Sequence, residues 1–410
     1  MKILLIAHAC GPNRGSEPGT AWNLSWELAG ENDVWVITHP QHAEEIDEHL
    51  RTHRRPNLHF VYVNLNPKWD SWQPKRGERG LKLHYILWQH AAARKARALC
   101  AESKFDIAHH VTLGTINAPP VLHKLPVPVV WGPLGGGQVA PAAFDEYFPG
   151  HVMAERARRL MARLLPLAPS LRRMARKSSI ALAKNMETLE LLKRAGAKRS
   201  QFLLDCGLPP NYIQESASPK SHDGTLELLA AGRMEQRKSP RLAIEAMAAA
   251  RDVHARLTFV GDGPEFEPSK QLATLLSLGE NRVRFLGKVP YQQMKDLYRD
   301  SHALLFTALR DSSGCVVLEA MAHGLPVIIL NHQGVACYVP DHAGIKVAVK
   351  NPKQAVQDLA NAIRALAGSS ADQRDAMSCA ALEAARRETW DQRAKLIATW
   401  YHEVVSDQRA

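Results

Sequence analysis

Cysteine is scarce in this 410-residue sequence, and its six copies are scattered without any Cys-x-x-Cys pair. Zinc sites and disulfide frameworks need clustered or regularly spaced cysteines, so this spacing argues against both and fits a reducing compartment. The patterns Asp-x-Asp, His-Glu-x-x-His and Gly-x-Ser-x-Gly are also missing. Their absence lowers the support for a metal-dependent mechanism and for a serine nucleophile, and we predict no metal site and no cofactor.

Long apolar runs are missing as well, because no continuously apolar stretch approaches the roughly 20 residues that span a bilayer; the uncharged stretches 125–144 and 320–340 are interrupted by Pro, Gly and polar residues. The opening residues, MKILLIAHAC, run directly into GPNRG rather than into a cleavage site. They therefore predict a buried first strand instead of a signal peptide. We expect a cytoplasmic protein, and whether it also contacts the inner face of the membrane depends on its basic segment.

Positive charge is in excess: the formal net charge is +11, which calls for an acidic partner such as nucleic acid, an anionic membrane or a phosphorylated small molecule. Residues 151–178 contain eight Arg or Lys and one Glu, interleaved with Leu and Met. This segment is either an amphipathic membrane-surface element or a solvated basic face. It has no aromatic residues to stack on bases, so we expect no nucleic-acid partner.

Short apolar runs alternate with helical patterns along the whole chain, which predicts an α/β fold with parallel sheets. The length exceeds one ordinary core and favours two doubly wound domains. Residues 205–224 are rich in Pro, Ser and Gly and predict a linker. We place one domain at 1–205, joined by a returning helix at 388–410, and the other at 206–387, with ligands at the carboxyl ends of the strands.

The stretch RDSSGCVVLEAMAHGLPV places a small turn between a buried strand and a helix. Gly314 and Cys315 then offer backbone N–H groups at a helix N-terminus, where phosphate or sugar oxygens bind. Glu319, one turn further on, suits a sugar's vicinal hydroxyls. The alternative is structural: Asp311 caps the turn, and Glu319 complements the helix dipole.

The stretch AAGRMEQRKSP ends a strand at Gly232 and starts a helix near Ser239–Pro240. Arg233 and Lys238 therefore lie at the carboxyl end of a strand beside a helix N-terminus. An Arg fork and a Lys ammonium group suit a diphosphate there. The alternative is a solvated charged turn.

Two further loops are candidates for ligand contact. In VRFLGKVP, Gly287 follows a strand and lets a flat ring approach the backbone, with Leu286 and Val289 beside it. In GPNRGSEPG, the loop that contains Gly15 and Ser16 resembles a phosphate-binding turn without matching either standard glycine pattern. A tight turn explains Gly287 equally well.

The strand FDIAHHV carries His109 and His110 near its carboxyl end. Adjacent strand residues point to opposite faces, so one of the two histidines should reach a ligand site. A structural, hydrogen-bonded histidine is the alternative.

Taken in order, GR with Lys238 after it, TFVGDGPE, VRFLGKVP and DSSGCVVLEAMAHGLPVI resemble retaining glycosyltransferases of the GT-B fold, family four. The likeness covers the second domain in near-continuous register and the first domain more loosely. It implies two Rossmann-like domains that face each other across a cleft, with a nucleotide-diphosphate-sugar donor on the second domain and the acceptor on the first. It also implies transfer with retention and without a metal.

The resemblance assigns expected roles to the candidate residues. Arg233 and Lys238 hold the diphosphate, Glu319 binds the ribose, and His110, or else His109, meets the donor sugar near its reacting carbon. The remaining expected donor contacts are Gly15, Ser16, Gly232, Leu286, Gly287, Val289, Ser313, Gly314, Cys315 and Val316. Asp311 completes the expected catalytic set.

One position departs from the family pattern, which has Glu, seven residues and Glu, whereas this chain has Asp311 first. Asp is one methylene shorter, so its reach to the sugar's 3-hydroxyl is either lost or remade by a loop shift. We expect a glycosyltransferase of surface polysaccharide assembly that uses a saccharide or lipid-linked acceptor. The alternatives are a sugar-nucleotide epimerase of similar fold and a catalytically altered scaffold.

Overall fold

The computed structural model describes residues 1–66, 70, 72, 77, 80–216 and 224–408. Part of the predicted linker, 217–223, lies outside these residues. The chain divides into two compact units. The first comprises Met1–Gly137, Ala162–Gly207 and Trp390–Ala410, and the second comprises Gln138–Met161 and Leu208–Thr389.

The elements alternate along the chain as the apolar runs predict. The strands are β1 Lys2–Ala7, β2 Asp33–Thr38, β3 Leu58–Tyr62, β4 Ile107–Thr112, β5 Val129–Leu134, β6 Ile180–Ala183, β7 Ser200–Phe202, β8 Leu226–Ala231, β9 Ala255–Val260, β10 Val283–Phe285, β11 Ala303–Phe306, β12 Val327–Leu330 and β13 Gly344–Val347. The α-helices are α1 Ser16–Leu28, α2 Ala43–Thr52, α3 Leu81–Glu102, α4 Val152–Leu164, α5 Pro169–Lys177, α6 Met186–Ala195, α7 Pro240–Ala249, α8 Phe266–Leu275, α9 Tyr291–Asp300, α10 Cys315–Ala322, α11 Gln333–Tyr338, α12 Pro352–Ala367, α13 Ala371–Arg386 and α14 Trp390–Asp407.

The first unit is built on a parallel sheet in the order β3-β2-β1-β4-β5-β6-β7. Its central strands are buried on both faces, which is why β1 reads as an apolar run from Ile3 onward; β4 is fully buried too, although it contains His109, His110 and Thr112. One face packs against α3, α5 and α6, and the other against α1 and α14. The C-terminal helix α14 therefore completes the core of the first unit.

The second unit is built on a parallel sheet in the order β10-β9-β8-β11-β12-β13. Helices α7, α8 and α12 cover one face: α7 and α12 contribute buried Leu, Ile and Ala side chains, and α8 contributes Ala273. Crossovers such as β8-α7-β9 bring the loops after β8, β9, β10 and β11 to the same edge of the sheet. That edge, where the strands end, is where doubly wound sheets bind ligands.

Segment 138–161 packs with the second unit, whereas the sequence division placed it with the first. Its contacts explain the observed grouping: the Tyr147 hydroxyl donates to the Glu245 carboxylate, and Gln236 Nε2 donates to the carbonyl oxygen of Pro149 at 3.1 Å. None of these pairs is recognisable as a neighbour from the sequence alone, since about a hundred positions separate the partners.

Among the described residues, no helix has both the length and the apolar content that crossing a bilayer requires.

Candidate functional site

Three glycines at neighbouring strand ends form the backbone floor of the candidate site in the second unit. Gly232, Gly261 and Gly287 follow β8, β9 and β10 with φ of 131°, 128° and 68°. The amide of Gly261 donates to the carbonyl of Gly287 at 2.8 Å, which ties two of the turns together. A Cβ at Gly232 or Gly287 would meet no described atom within 4 Å, so conformation and not crowding requires glycine there. The surface over these two residues is open.

The loop after β8 presents the predicted cationic residues. Arg233 is exposed, with Nε 2.9 Å from Glu235 Oε1, and Arg237 Nε lies 2.6 Å from Glu235 Oε2. Lys238 forms an ion pair with the Asp311 carboxylate, and its Nζ lies 5.1 Å from the centre of the Phe306 ring. The structure thus joins two residues that sequence reasoning had placed in separate motifs.

A cavity lies beside this loop at the carboxyl edge of the sheet, with about 370 Å³ of empty space, part of which is open to solvent. Three predicted site residues, Gly232, Arg233 and Lys238, lie on its wall. The other lining residues are Ala230, Ala231, Met234, Pro240, Phe259, Leu305, Phe306 and Thr307. An apolar cavity with a cationic rim suits a ligand that has both a ring and a phosphate group.

The turn before α10 is fixed by hydrogen bonds from both sides. The Asp311 carboxylate accepts from the Ser312 amide at 2.9 Å, as the capping alternative predicts, and it also binds Lys238. The amide of Asp311 donates to Gln333 Oε1. Sequence reasoning missed Gln333, which is nearly buried and follows the neighbouring strand β12.

Gly314 directly precedes α10 with φ of 65°, and a Cβ there would lie 2.4 Å from Val335 Cγ1. Position 314 therefore requires glycine for both conformation and space. Cys315 is exposed at the first helical position, Val316 is half-buried and Ser313 is buried. The start of α10 thus presents backbone N–H groups beside Lys238 and Asp311. Backbone N–H groups at a helix N-terminus can bind an anion.

Glu319 is half-buried on α10 and accepts a hydrogen bond from the Tyr298 hydroxyl at 3.0 Å. Burial raises the pKa of the Glu319 carboxyl group, and the Tyr298 hydrogen bond only partly offsets this. At the β10 end of the edge, Leu286 is exposed and Val289 is half-buried. Apolar surface therefore flanks the glycine floor on the side where a base is predicted.

In the first unit, His109 and His110 lie on opposite faces of β4, as strand alternation requires. His110 Nε2 is 3.0 Å from the Tyr85 hydroxyl on α3, while His109 contacts the Tyr401 hydroxyl on α14 and the Gly132 carbonyl. Both are fully buried. Burial lowers the pKa of His109 to about 4 and that of His110 to about 3. Each is a neutral residue inside the unit, and a sugar contact for His110 stays a prediction.

Gly15 and Ser16 are exposed where the first glycine-rich loop enters α1, and Ser16 has φ of 57°. Sequence reasoning missed the residue that follows. Glu17 Oε2 accepts from the Gly114 amide at 3.0 Å, and Glu17 Oε1 lies 3.7 Å from Lys184 Nζ. Burial raises the pKa of Glu17, and Lys184 counteracts it. A Glu in a first helical turn ordinarily signals only dipole compensation, so its long-range partners were not readable.

No three His, Cys, Asp or Glu side chains are arranged to hold a metal ion in the part of the chain that the structure describes.

Part of the second unit matches a known protein family. Residues 213–383 match the family "Glycosyl transferases group 1". Over 105 residues the chain is 38% identical to the N-acetyl-alpha-D-glucosaminyl L-malate synthase of Bacillus anthracis, a match that covers 23% of this chain and 27% of that protein. Matches to other curated relatives, too, span less than half of those proteins.

Solved structures resemble the chain over nearly its whole length. Sucrose-phosphate synthase from Thermosynechococcus elongatus aligns with a TM-score of 0.66 and 17% identity, over 99% of both chains. HepE of Anabaena in complex with UDP aligns with a TM-score of 0.63 and 18% identity, over 98% of this chain and 100% of that one. At such identities the likeness establishes the fold, and it confirms the predicted GT-B class.

The resemblance to GT-B glycosyltransferases predicted from the sequence is therefore confirmed, and the match to the glycosyl transferases group 1 family covers residues 213–383. The matched range begins at Ile213 and ends within α13, so it covers every predicted site residue of the second unit.

Proposed function

We propose that the protein transfers a sugar from a nucleotide-diphosphate-sugar donor to a saccharide or lipid-linked acceptor, with retention of anomeric configuration and without a metal ion. The observation that carries the proposal is that Arg233 and Lys238 line one cavity of the second unit, while Lys238 is also paired with Asp311 in the turn that leads into α10. This grouping fits a diphosphate flanked by a sugar and a nucleoside.

The chemistry requires positive charge at the diphosphate. When the bond between the sugar's anomeric carbon and the diphosphate oxygen breaks, the electron pair stays on that oxygen. Arg233, Lys238 and the N–H groups of α10 are available to offset this charge, and fixed donors of this kind supply much of an enzyme's rate enhancement. The acceptor hydroxyl forms the new bond on the same face of the sugar, and its proton leaves with the diphosphate.

Ion pairs hold these cations until the donor arrives. Lys238 is paired with Asp311, and Arg233 with Glu235. A diphosphate carries more charge than either carboxylate, so it competes for both cations as it binds. We propose that Asp311, once released, faces the donor sugar's hydroxyls, and that Glu319 binds the ribose.

The test is a thermal-shift series with UDP, GDP, ADP, dTDP and CMP on the wild type and on Arg233→Ala. A ligand at a hundredfold its Kd adds about 2.7 kcal/mol to the free energy of unfolding. UDP is the first candidate because HepE, a fold relative, was solved in complex with UDP. One selective nucleotide, lost in Arg233→Ala but kept in the surface control Lys350→Ala, supports the donor site. No shift with any nucleotide contradicts it.

The purified protein also distinguishes a glycosyltransferase from the two alternative functions, a sugar-nucleotide epimerase and an inactive scaffold. An epimerase converts the donor sugar with no acceptor present, which NMR of the donor alone detects. A scaffold binds nucleotide but turns over no donor with any acceptor fraction.

The stereochemistry and the metal requirement have separate tests. Anomeric NMR of the product distinguishes retention from inversion. Undiminished transfer in EDTA supports the metal-independent mechanism, and loss of transfer that a divalent cation restores overturns that part of the proposal.

We further propose that the protein works in the cytoplasm at the inner face of the membrane, where a lipid-linked acceptor is found.

A further inference from the structure

Helix α4 exposes its apolar side chains to solvent and buries a charged one, the reverse of an ordinary surface helix. Its one residue that is almost completely buried is a glutamate, Glu155. Its large apolar side chains point outward instead: Met153 is 73% exposed, Leu160 57%, Met161 60% and Leu164 54%. A surface helix normally turns its apolar stripe to the core, so an outward stripe needs another explanation.

The exposed apolar residues of α4 form one strip. At 3.6 residues per turn, Met153, Leu160 and Leu164 fall on the same face of the helix, with Met161 beside them. Arg156 and Arg163 lie along one side of this strip, and Arg158 lies on the other. All three arginines are exposed. We call this surface the α4 strip: Met153, Leu160, Met161 and Leu164, with Arg156, Arg158 and Arg163 at its margins.

Polar contacts on the opposite side hold the strip outward. Arg310 Nη2 lies 3.1 Å from Glu155 Oε1, and Arg159 donates to Asp145 at 2.7 Å and to the Ala140 carbonyl at 3.3 Å. Turning the helix over would bury Leu160 but would separate Glu155 from Arg310. The outward orientation is therefore built into the packing of α4.

We propose that the α4 strip docks on an anionic lipid bilayer, with its Met and Leu side chains inserted at the headgroup level and its arginines on the lipid phosphates. This inference goes beyond the donor site and does not depend on it. The charge of the strip decides the occupant: its marginal residues are all cationic, and a narrow apolar strip between cations matches the boundary between acyl chains and anionic headgroups. Long Arg side chains reach headgroups while their stems cover apolar surface.

A protein partner is a weaker match. Protein interfaces are depleted of flexible charge at their centre and are larger than one short helix face. A second copy of the chain would set these arginines against the same arginines across a twofold axis. A bilayer has neither problem.

The experiment is co-sedimentation of the full chain with phosphatidylcholine vesicles that contain or lack phosphatidylglycerol, at low and at high salt. We expect binding to the anionic vesicles only and weakening by salt. Leu160→Asp should reduce the bound fraction by roughly tenfold, because it puts a carboxylate at the headgroup boundary. Leu275→Asp is the matched control, since Leu275 is 79% exposed on α8 and lies off the strip. It should bind as the wild type does.

A second pair of variants tests the contribution of positive charge on the α4 strip to vesicle binding. Arg163→Glu should weaken binding by about tenfold and reduce its salt dependence. Lys350→Glu makes the same change of charge at an exposed site away from α4 and should leave binding intact. Equal thermal melts of the variants confirm that each is folded.

Three results overturn the proposal. The first is a wild type that ignores anionic vesicles at low salt. The second is an equal loss of binding in the control variants, which would reduce the effect to net charge. The third is a dimer that Leu160→Asp dissociates, which would make the strip an interface between copies. The nucleotide thermal shift is read separately, so failure here leaves the donor site standing, and the reverse also holds.

Discussion

The carboxyl edges of the two sheets differ in how they treat charge. In the second unit, Arg233, Lys238 and Asp311 are ionic, partly exposed and paired with one another or with neighbouring residues across short loops. In the first unit, the polar residues at the strand ends include His8 after β1 and His39 after β2, both buried. Desolvation lowers the pKa of His39 to about 4 and that of His8 well below its usual value, so both are neutral at pH 7.

Because of this difference, we expect the two sheet edges to recognise different ligands, one charged and one neutral. A paired but solvent-accessible cation can exchange its carboxylate for a phosphate at little desolvation cost, so the second edge suits a charged ligand. A buried neutral imidazole offers one donor and one acceptor and resists charging. We therefore propose that a ligand at the first edge is neutral, as the hydroxyl groups of a saccharide acceptor are.

The largest expected effect tests the ionic edge. Lys238→Ala removes a cation that we propose offsets the developing charge on the diphosphate, and it leaves Asp311 with Arg237 Nη1 at 3.6 Å. We expect kcat to fall by about a hundredfold or more, within the range for losing one preorganised donor. Lys350→Ala should leave kcat unchanged. Equal activity of Lys238→Ala and wild type contradicts a role at the diphosphate.

The second prediction tests the neutral edge through the pH dependence of stability. His39, His109 and His110 have folded-state pKa values of about 4, 4 and 3, against about 6.5 unfolded. Above pH 6.5 neither state binds the proton, so stability is unaffected. As the pH falls below 6.5, only the unfolded state is protonated, and each histidine lowers the free energy of unfolding by about 2 kcal/mol at pH 5.

Tryptophan fluorescence isolates this effect, because all nine tryptophans lie in the residue ranges of the first unit. Urea unfolding followed by that signal should show a steep loss of stability between pH 6.5 and pH 4. His110→Gln, which cannot titrate, should show a shallower loss over the same range. A fluorescence midpoint that does not change from pH 7 to pH 5 would mean that these histidines are not buried as described.

The fold and the positions of the loops were predictable because their signals are local. Buried parallel strands read as apolar runs, and Gly232, Gly287 and Gly314 mark turns whose positive φ other residues avoid. Pro240 begins α7 as predicted. Ser239 does not cap it with its side chain: it adopts φ of 50°, and its carbonyl oxygen accepts from the Thr307 hydroxyl after β11 at 2.9 Å.

The pairings at the site were not predictable, because they join distant parts of the chain. Lys238 and Asp311 belong to loops after different strands, and the order of those strands in the sheet is what makes them neighbours. Glu155 looked like one acid in a basic segment, and its partner Arg310 lies far along the sequence. The burial of His110 depends on Tyr85, which no local pattern connects to β4.

A smaller effect is expected at Glu319. Glu319→Gln keeps the size of the side chain and can still accept from Tyr298, but it removes the carboxylate proposed to bind the ribose hydroxyls. Loss of one charged hydrogen bond should weaken nucleotide affinity by about tenfold. Isothermal titration with the selected nucleotide measures this, and Tyr298→Phe, which loses only the supporting hydroxyl, should have an affinity between those of Glu319→Gln and the wild type. Unchanged affinity in both variants contradicts the assignment.

The smallest expected effect concerns the departure from the family pattern. Asp311→Glu restores the usual acid but moves the carboxylate by about one methylene from a position where Lys238, the Ser312 amide and the turn already fit it. Because Gln333 fixes the backbone amide at 311, the loop has little freedom to adjust, and we expect kcat to change by only about threefold.

Asp311→Asn provides the contrast, since it keeps the shape and removes the charge that holds Lys238. If the carboxylate matters for positioning Lys238 rather than for reaching the donor sugar, Asn should lower kcat clearly more than Glu does, and KM for the donor should change little. The opposite order, with Glu more active than wild type, would mean that the shorter acid does not reach the sugar and that Asp311 marks a weakened catalytic site. Steady-state kinetics of the two variants therefore decide between two roles for Asp311: a residue that positions Lys238 in an active site, or a shortened acid that weakens catalysis.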